Sequence, residues 1–411
     1  KADCIRETTI LQASAYGVRP DSQELQTEAF QKAIDHLHSM GGGELQVQAG
    51  TYHIGSIRLY SDMTLHLMEG AKLYGSRDFR DYTDFKVPTT LRYVEDEHYK
   101  TLWNLPDYYI YGIICAFGEK QVSIIGEPGS EINGQDCFDP DGEEGFRGPM
   151  GMIFCSCQNV TLKGYTVSDS ANWSHQLDSC KGVDISQVTV LAGHDGFNFH
   201  HCTGINVSGC RLYTGDDCVA GYDIENLYVK DCFFNTACNA LRIGGRNMIF
   251  DHCTFKGPGL YPHRSEMTYY THAVFKYYSI RPDVIRGEGE GILLKNCTFM
   301  DMTMLLSYQY GREELMQNNL PLRELTFEDA DIKHLTKKSL FKGNGEPCTL
   351  TLRRTALSFE GSDDEDPMLE VDSSITLNLE QVICAAPVII QAPKDTVVNM
   401  KDCKGIRILR I

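Results

Sequence analysis

The chain has 411 residues, 42% of them hydrophobic, and a formal net charge of −18. That is enough apolar material for a large core and is not a disordered composition. The charge argues against non-specific nucleic-acid binding, which needs a basic surface, and no run of about 18 apolar residues offers a membrane span.

Taken in chain order, the first predicted element is a cap over residues 1–45. Ala29, Phe30, Ala33, Ile34 and Leu37 fall at helical spacing, and Gly41-Gly42-Gly43 ends that helix. Short alternating strands follow at Glu44–Gln48 and Thr64–Leu67. Two aromatic-rich inserts are expected at 77–111 and 257–289. The first carries Tyr82, Phe85, Tyr93, Tyr99, Trp103, Tyr108 and Tyr109, and the second carries Tyr261, Tyr269, Tyr270, Tyr277 and Tyr278. Such loops either pack themselves down or offer their rings to a ligand. Between them the chain repeats. Val160, Val183, Ile205, Leu227 and Met248 each open an apolar/polar alternation, and they step by 23, 22, 22 and 21 residues. Looser copies begin at Gly291, Glu324 and Ser374, and the acidic run Asp363–Asp366 reads as a solvated loop tip. A period near 22 with several short strands is the mark of a β-solenoid, whose coils bury their faces only by stacking. The expected fold is all-β: one domain over 1–411, a single-stranded right-handed parallel β-helix plugged by the N-terminal helix.

There are 16 cysteines, and no clean pair of Cys-x-x-Cys elements for zinc. Cys157, Cys180, Cys202 and Cys253 sit near repeat boundaries, so most thiols are expected to be free and buried, packing as small hydrophobes. Disulfides stay open for a minority. A chain beginning at Lys1 without a leader fits a mature exported protein and a trimmed one equally.

The repeat also works as a ruler. Asp195, Asp217 and Asn239 each lie 12 residues after an anchor, so they are expected to stack in register about 4.8 Å apart. Asp216 is one residue out of step and reaches the same cleft only if the strand ends or bends, which Gly215 permits. Like charges this close push at least one pKa upward, and a protonated acid beside carboxylates is what glycoside hydrolysis needs. Calcium binding, or acids merely placed at turns, is the plainer reading of the same residues.

The chain resembles glycoside hydrolase family 28, the polygalacturonase family. The likeness runs through Ala15–Val18 and Ala29–Ile34, Gly50–Tyr52, Gly70–Leu73, Ile132–Gln135 and Asn172–His175. It includes Gly193-His194-Asp195-Gly196 at the family's Asn-Thr-Asp-Gly motif, and an intact Gly215-Asp216-Asp217. The resemblance implies inverting hydrolysis of a pectin-type chain (galacturonan, rhamnogalacturonan or a relative) with no metal or other cofactor. It implies Asp216 as general acid and Asp195 with Asp217 activating water. The family's Gly-His-Gly falls on Cys238-Asn239-Ala240, so its histidine is absent, and Ser279-Ile280-Arg281 is the nearest approach to its Arg-Ile-Lys. Asn239, Arg242, Arg281, His194 and His175 are therefore the candidate sugar contacts, the arginines standing in as carboxylate binders. The polysaccharide is the expected partner of a monomeric, exported protein. A calcium-dependent pectate lyase and a non-catalytic carbohydrate-binding solenoid are the alternatives.

Overall fold

The computed structural model describes residues 7–106 and 111–411; Tyr108 and Tyr109 of the first insert lie outside them. Alternating apolar residues turn inward on short strands, and each strand pairs in parallel with its counterpart one coil on. Val160 faces Val183, Val183 faces Ile205, Ile205 faces Leu227 and Leu227 faces Met248. The column continues through Ile292, Leu325, Leu350 and Leu377. The repeat read from the sequence is thus the real coil register, and the chain winds as a right-handed parallel β-helix with three strands to a typical coil. One coil runs Met150–Cys155, Gln158–Lys163, Thr166–Ser168, and the next begins at His175–Asp178. Inward aromatics stack along the axis: Phe234 on Phe255, and Phe255 on Phe299, with ring centroids 5.0 and 4.7 Å apart.

The N-terminal helix Thr27–Ser39 buries Phe30, Ala33, Ile34 and Leu37 against the first coil, closing that end of the core. The 15 described cysteines are all free, and all but Cys403 are buried. They gather at strand-to-strand turns, where Sγ of Cys180 lies 3.3 Å from the Phe154 carbonyl and that of Cys202 lies 3.1 Å from the Leu177 carbonyl. A thiol there meets a strand carbonyl of the preceding coil while filling a small apolar gap.

The segment expected as a second insert is not all loop. Ala273–Tyr277 is a core strand, with Phe275 facing Leu241 and Lys276 facing Arg242. The step from 241 to 275 is longer than the usual coil because the intervening loop stretches it, and that hid the repeat. In the first insert, Tyr93 and Tyr99 pack inward while Trp103 stacks on Tyr99 at 5.1 Å and reaches the surface of a cleft.

Candidate active site

The third strand of each coil ends, and the first strand of the next begins, at a tight turn. These turns stack. The Ser174 amide donates to the Asp195 carbonyl, that of Gly196 to Asp217, and that of Cys218 to Asn239. Side chains at the turn therefore file along one line, as the ruler anticipated for Asp195, Asp217 and Asn239. The carboxylate of each aspartate accepts from the next coil: the Asp217 amide donates to Asp195 Oδ1 at 2.9 Å, and Asn239 Nδ2 to Asp217 Oδ1 at 3.0 Å. Asp216 shares the cleft because the strand stops at Thr214. The hydroxyls of Thr214 and Thr236 both donate to the Asp216 carbonyl, at 2.6 and 2.5 Å, and pin the turn. Gly215 serves by its lack of a side chain more than by bending. A Cβ there would lie 2.0 Å from the Pro262 carbonyl, on the loop that forms one wall.

Oxygens of Asp195, Asp216 and Asp217 lie within 4.8 Å of one another on the floor of a cleft of about 330 Å³. Their surroundings differ. Burial raises Asp195 well above the usual carboxylate range, and the charges of Asp216 and Asp217 add to it. Asp217 is raised by burial and by Asp216. Burial pushes Asp216 the same way, but Arg147 at 3.1 Å, with His263 and Arg242, outweighs it and holds Asp216 below its ordinary value. Arg147 itself is buried, donating also to Glu144 and Asn172. At rest, then, a proton shared among the three belongs to Asp195 and Asp217 rather than to Asp216.

The expected sugar contacts divide. Asn239 and Arg242 line the cleft; Arg242 lies over the Tyr278 ring at 4.1 Å and 3.9 Å from Asp217. His194, His175 and Arg281 do not line it. His194 turns away from its neighbour Asp195 and is fully buried against Phe138 and Phe146. His175 is a core residue bonded to Tyr165 and Ser174, its pKa lowered to about 3 by burial. Arg281 is exposed and paired with Glu313. The sequence reading overlooked Arg147, His263 and Lys276. Arg147 and His263 come from loops with no register to follow. Lys276 had a signal, since it stands one coil after Arg242.

Among the described residues, two groups bring three possible metal donors within 4.8 Å: the three aspartates, and Asp216 with Cys238 and His263. The second is a poor cage. Nδ1 of His263 already accepts from the Glu266 amide, which leaves the neutral ring's proton on Nε2, facing Asp216. Burial, with Asp217 and Asp216 beside it, also keeps Cys238 a thiol.

Residues 111–245, the stretch holding these acids, match the family model for "Glycosyl hydrolases family 28". A probable polygalacturonase of Vitis vinifera is 28% identical over 217 residues, covering 50% of this chain and 42% of that protein. An exo-poly-alpha-D-galacturonosidase of Dickeya chrysanthemi is 41% identical over 75 residues, 18% of this chain and 12% of the relative. The chain thus spans less than half the length of these two curated relatives. In fold it is similar to a hyperthermoactive exopolygalacturonase from Thermotoga maritima, with TM-score 0.69, 16% identity, and coverage of 92% of this chain and 93% of that one. The likeness to glycosyl hydrolases family 28 is thus carried by residues 111–245, the segment that holds the three aspartates.

Proposed function

We propose that this protein hydrolyses a glycosidic bond in a pectin-type oligosaccharide or polysaccharide. The observation that carries the reading is three aspartates, two of them raised and one lowered, converging on the floor of one cleft lined by Trp103, Trp173 and Tyr278. Rings of this kind present flat apolar faces to sugars, with polar edges at hand.

In this reading Asp195 and Asp217 bind a water molecule and take its proton, while Asp216 protonates the departing glycosidic oxygen. Arg147 opposes that last role in the free protein. The proton resting on the Asp195–Asp217 pair must pass to Asp216, across less than 4.8 Å. Arg242 and Lys276 hold the sugar, and burial lowers the Lys276 pKa without removing its attraction for a carboxylate. Inversion is expected from the family likeness. The nearest carboxylate oxygens are closer than the roughly 6.5–9.5 Å of most inverting pairs, so the configuration of the first-formed product is a direct check. Export follows from the size of the polymer, which an enzyme meets outside the cell.

The test is incubation with galacturonan and rhamnogalacturonan oligosaccharides and mass analysis of the products. Hydrolysis gives masses that sum to substrate plus one water; unsaturated products without added water point to the lyase instead. Asp216→Asn is expected to cut turnover by about 10²–10⁴-fold with the fold intact by circular dichroism, and undiminished turnover would remove Asp216 from the mechanism.

A further inference from the structure

The aromatic wall of the cleft is only partly built on the repeat. Trp173 and Tyr278 flank core strands, but Tyr93 and Trp103 are carried by the first insert, Trp103 at the end of the helix Glu97–Trp103. Leu91, Val94 and Tyr99 of that insert share an apolar cluster with Ile153, Tyr222 and Ile280. Apolar burial holds such a segment down but is non-directional, so it does not decide where the rings stand. Directed contacts decide that, and they meet at Asp283.

Asp283 is buried, on the stretch that follows the strand Ala273–Tyr277. Its two carboxylate oxygens accept from the Arg92 and Tyr93 amides, each at 3.0 Å. Oδ1 also faces Nε2 of His201 at 3.1 Å. His201 stands in the turn between the strands Phe197–His200 and Thr203–Ser208. Its other ring nitrogen, Nδ1, lies 2.7 Å from Asp223. A neutral imidazole has one N–H and serves only one of these carboxylates; serving both takes the imidazolium. Burial opposes that charge, but Asp223 and Asp283 outweigh it and raise the His201 pKa to about 9. Asp223 is held in turn by Arg286 at 2.9 Å and Arg246 at 3.2 Å. The insert is therefore fastened to the coils through alternating charges, and neither Asp283 nor His201 lines the cleft.

We propose that Asp283 and His201 are positioning residues for substrate binding: together they clamp the first insert to the coils and so fix Tyr93 and Trp103 as a wall for the sugar chain. The role of the wall rests on the pectin-hydrolase reading, whereas the clamp is a property of the free protein.

Two variants test it. In Asp283→Asn the new amide sets an N–H against the Arg92 or the Tyr93 amide, donor against donor. In His201→Gln one of the two carboxylates loses its donor. The first measurement is hydrogen exchange read by peptide mass on the free protein, which needs no ligand. Residues 91–103 are expected to exchange about tenfold faster in both variants, with the strands Phe197–His200 and Thr203–Ser208 as protected as before. The second is steady-state hydrolysis of a galacturonan and a rhamnogalacturonan tetrasaccharide. On whichever is cleaved, KM is expected to rise about tenfold with kcat held, the sign of lost binding rather than lost chemistry. Unchanged exchange at 91–103 overturns the clamp. Faster exchange throughout the coils, or a fall in kcat at constant KM, overturns positioning in favour of a general structural role. Local loosening without a change in KM overturns the part given to the wall. Should Asp283→Asn not fold, His201→Gln alone decides, since its ring is partly exposed. If the exchange pattern holds and the unmodified protein releases no product from either chain, the clamp stands and it is the hydrolase reading that fails.

Discussion

Arg147 sets the chemistry of a residue 69 positions away. Its guanidinium keeps the Asp216 carboxyl ionised, so its loss raises the Asp216 pKa. If Asp216 is the proton donor, it then stays protonated to higher pH, and the alkaline limb of the kcat profile of Arg147→Met moves upward. An unmoved limb would detach Arg147 from the reaction. The substitution also takes a buried cation away from the partly exposed Asp216 and Glu144, so stability needs a parallel reading. Asp195 gives the opposite case. Its folded-state pKa is raised, chiefly by burial and then by its acidic neighbours. Between the unfolded and folded values the native state binds the extra proton, so stability falls as pH rises through that window. Asp195→Asn, which cannot ionise, is expected to melt at a higher temperature than the parent at pH 7 while losing activity. An unchanged or lower melting temperature counts against the strain assigned to the acidic floor.

At the scale of elements, the wall loop that brings His263 to the cleft rests on bare glycines. A Cβ on Gly215 would lie 2.0 Å from the Pro262 carbonyl, and one on Gly193 would lie 2.5 Å from Arg264 Nε. Gly215→Ala is expected to lift this loop, costing roughly 1–3 kcal/mol of stability and moving His263 away from Asp216. Unaltered stability and kinetics would show that the wall shifts freely. The same loop explains what the sequence could and could not disclose. Strands advertise themselves by alternation, and a constant step turns that alternation into a register, so the filing of Asp195, Asp217 and Asn239 is legible from spacing alone. Where the loop breaks the step, the strand Ala273–Tyr277 and its Lys276 are lost to view, and a neighbouring arginine, Arg281, takes their place in the reading. Adjacency in sequence misleads at His194, because consecutive residues at a turn point in different directions. Arg147 has no pattern to follow at all: its position depends on how a non-repeating loop folds over the cleft.

As a whole molecule, the protein is a stack in which each coil touches chiefly its neighbours. A helix seals the first coil, whereas Val397, Met400 and Ile411 near the other end are exposed. Opening is therefore expected to begin at the C-terminal coils. No disulfide joins the described coils, so a reducing agent is expected to leave the melting temperature unchanged; a marked drop would reveal a covalent tie. The thiols filed along the turns then acquire a use that has nothing to do with sugars. The buried ones are shielded from a reagent while their coils are closed, and burial raises the Cys348 thiol further from the thiolate that attacks an alkylating agent. Spread from Cys115 to Cys403, they amount to a set of timers built into the solenoid. Brief alkylation at rising denaturant, read by peptide mass, is expected to label Cys403 first, Cys384 and Cys348 next, and Cys180 last. The order in which they yield to the reagent would record, coil by coil, how a one-dimensional protein comes undone.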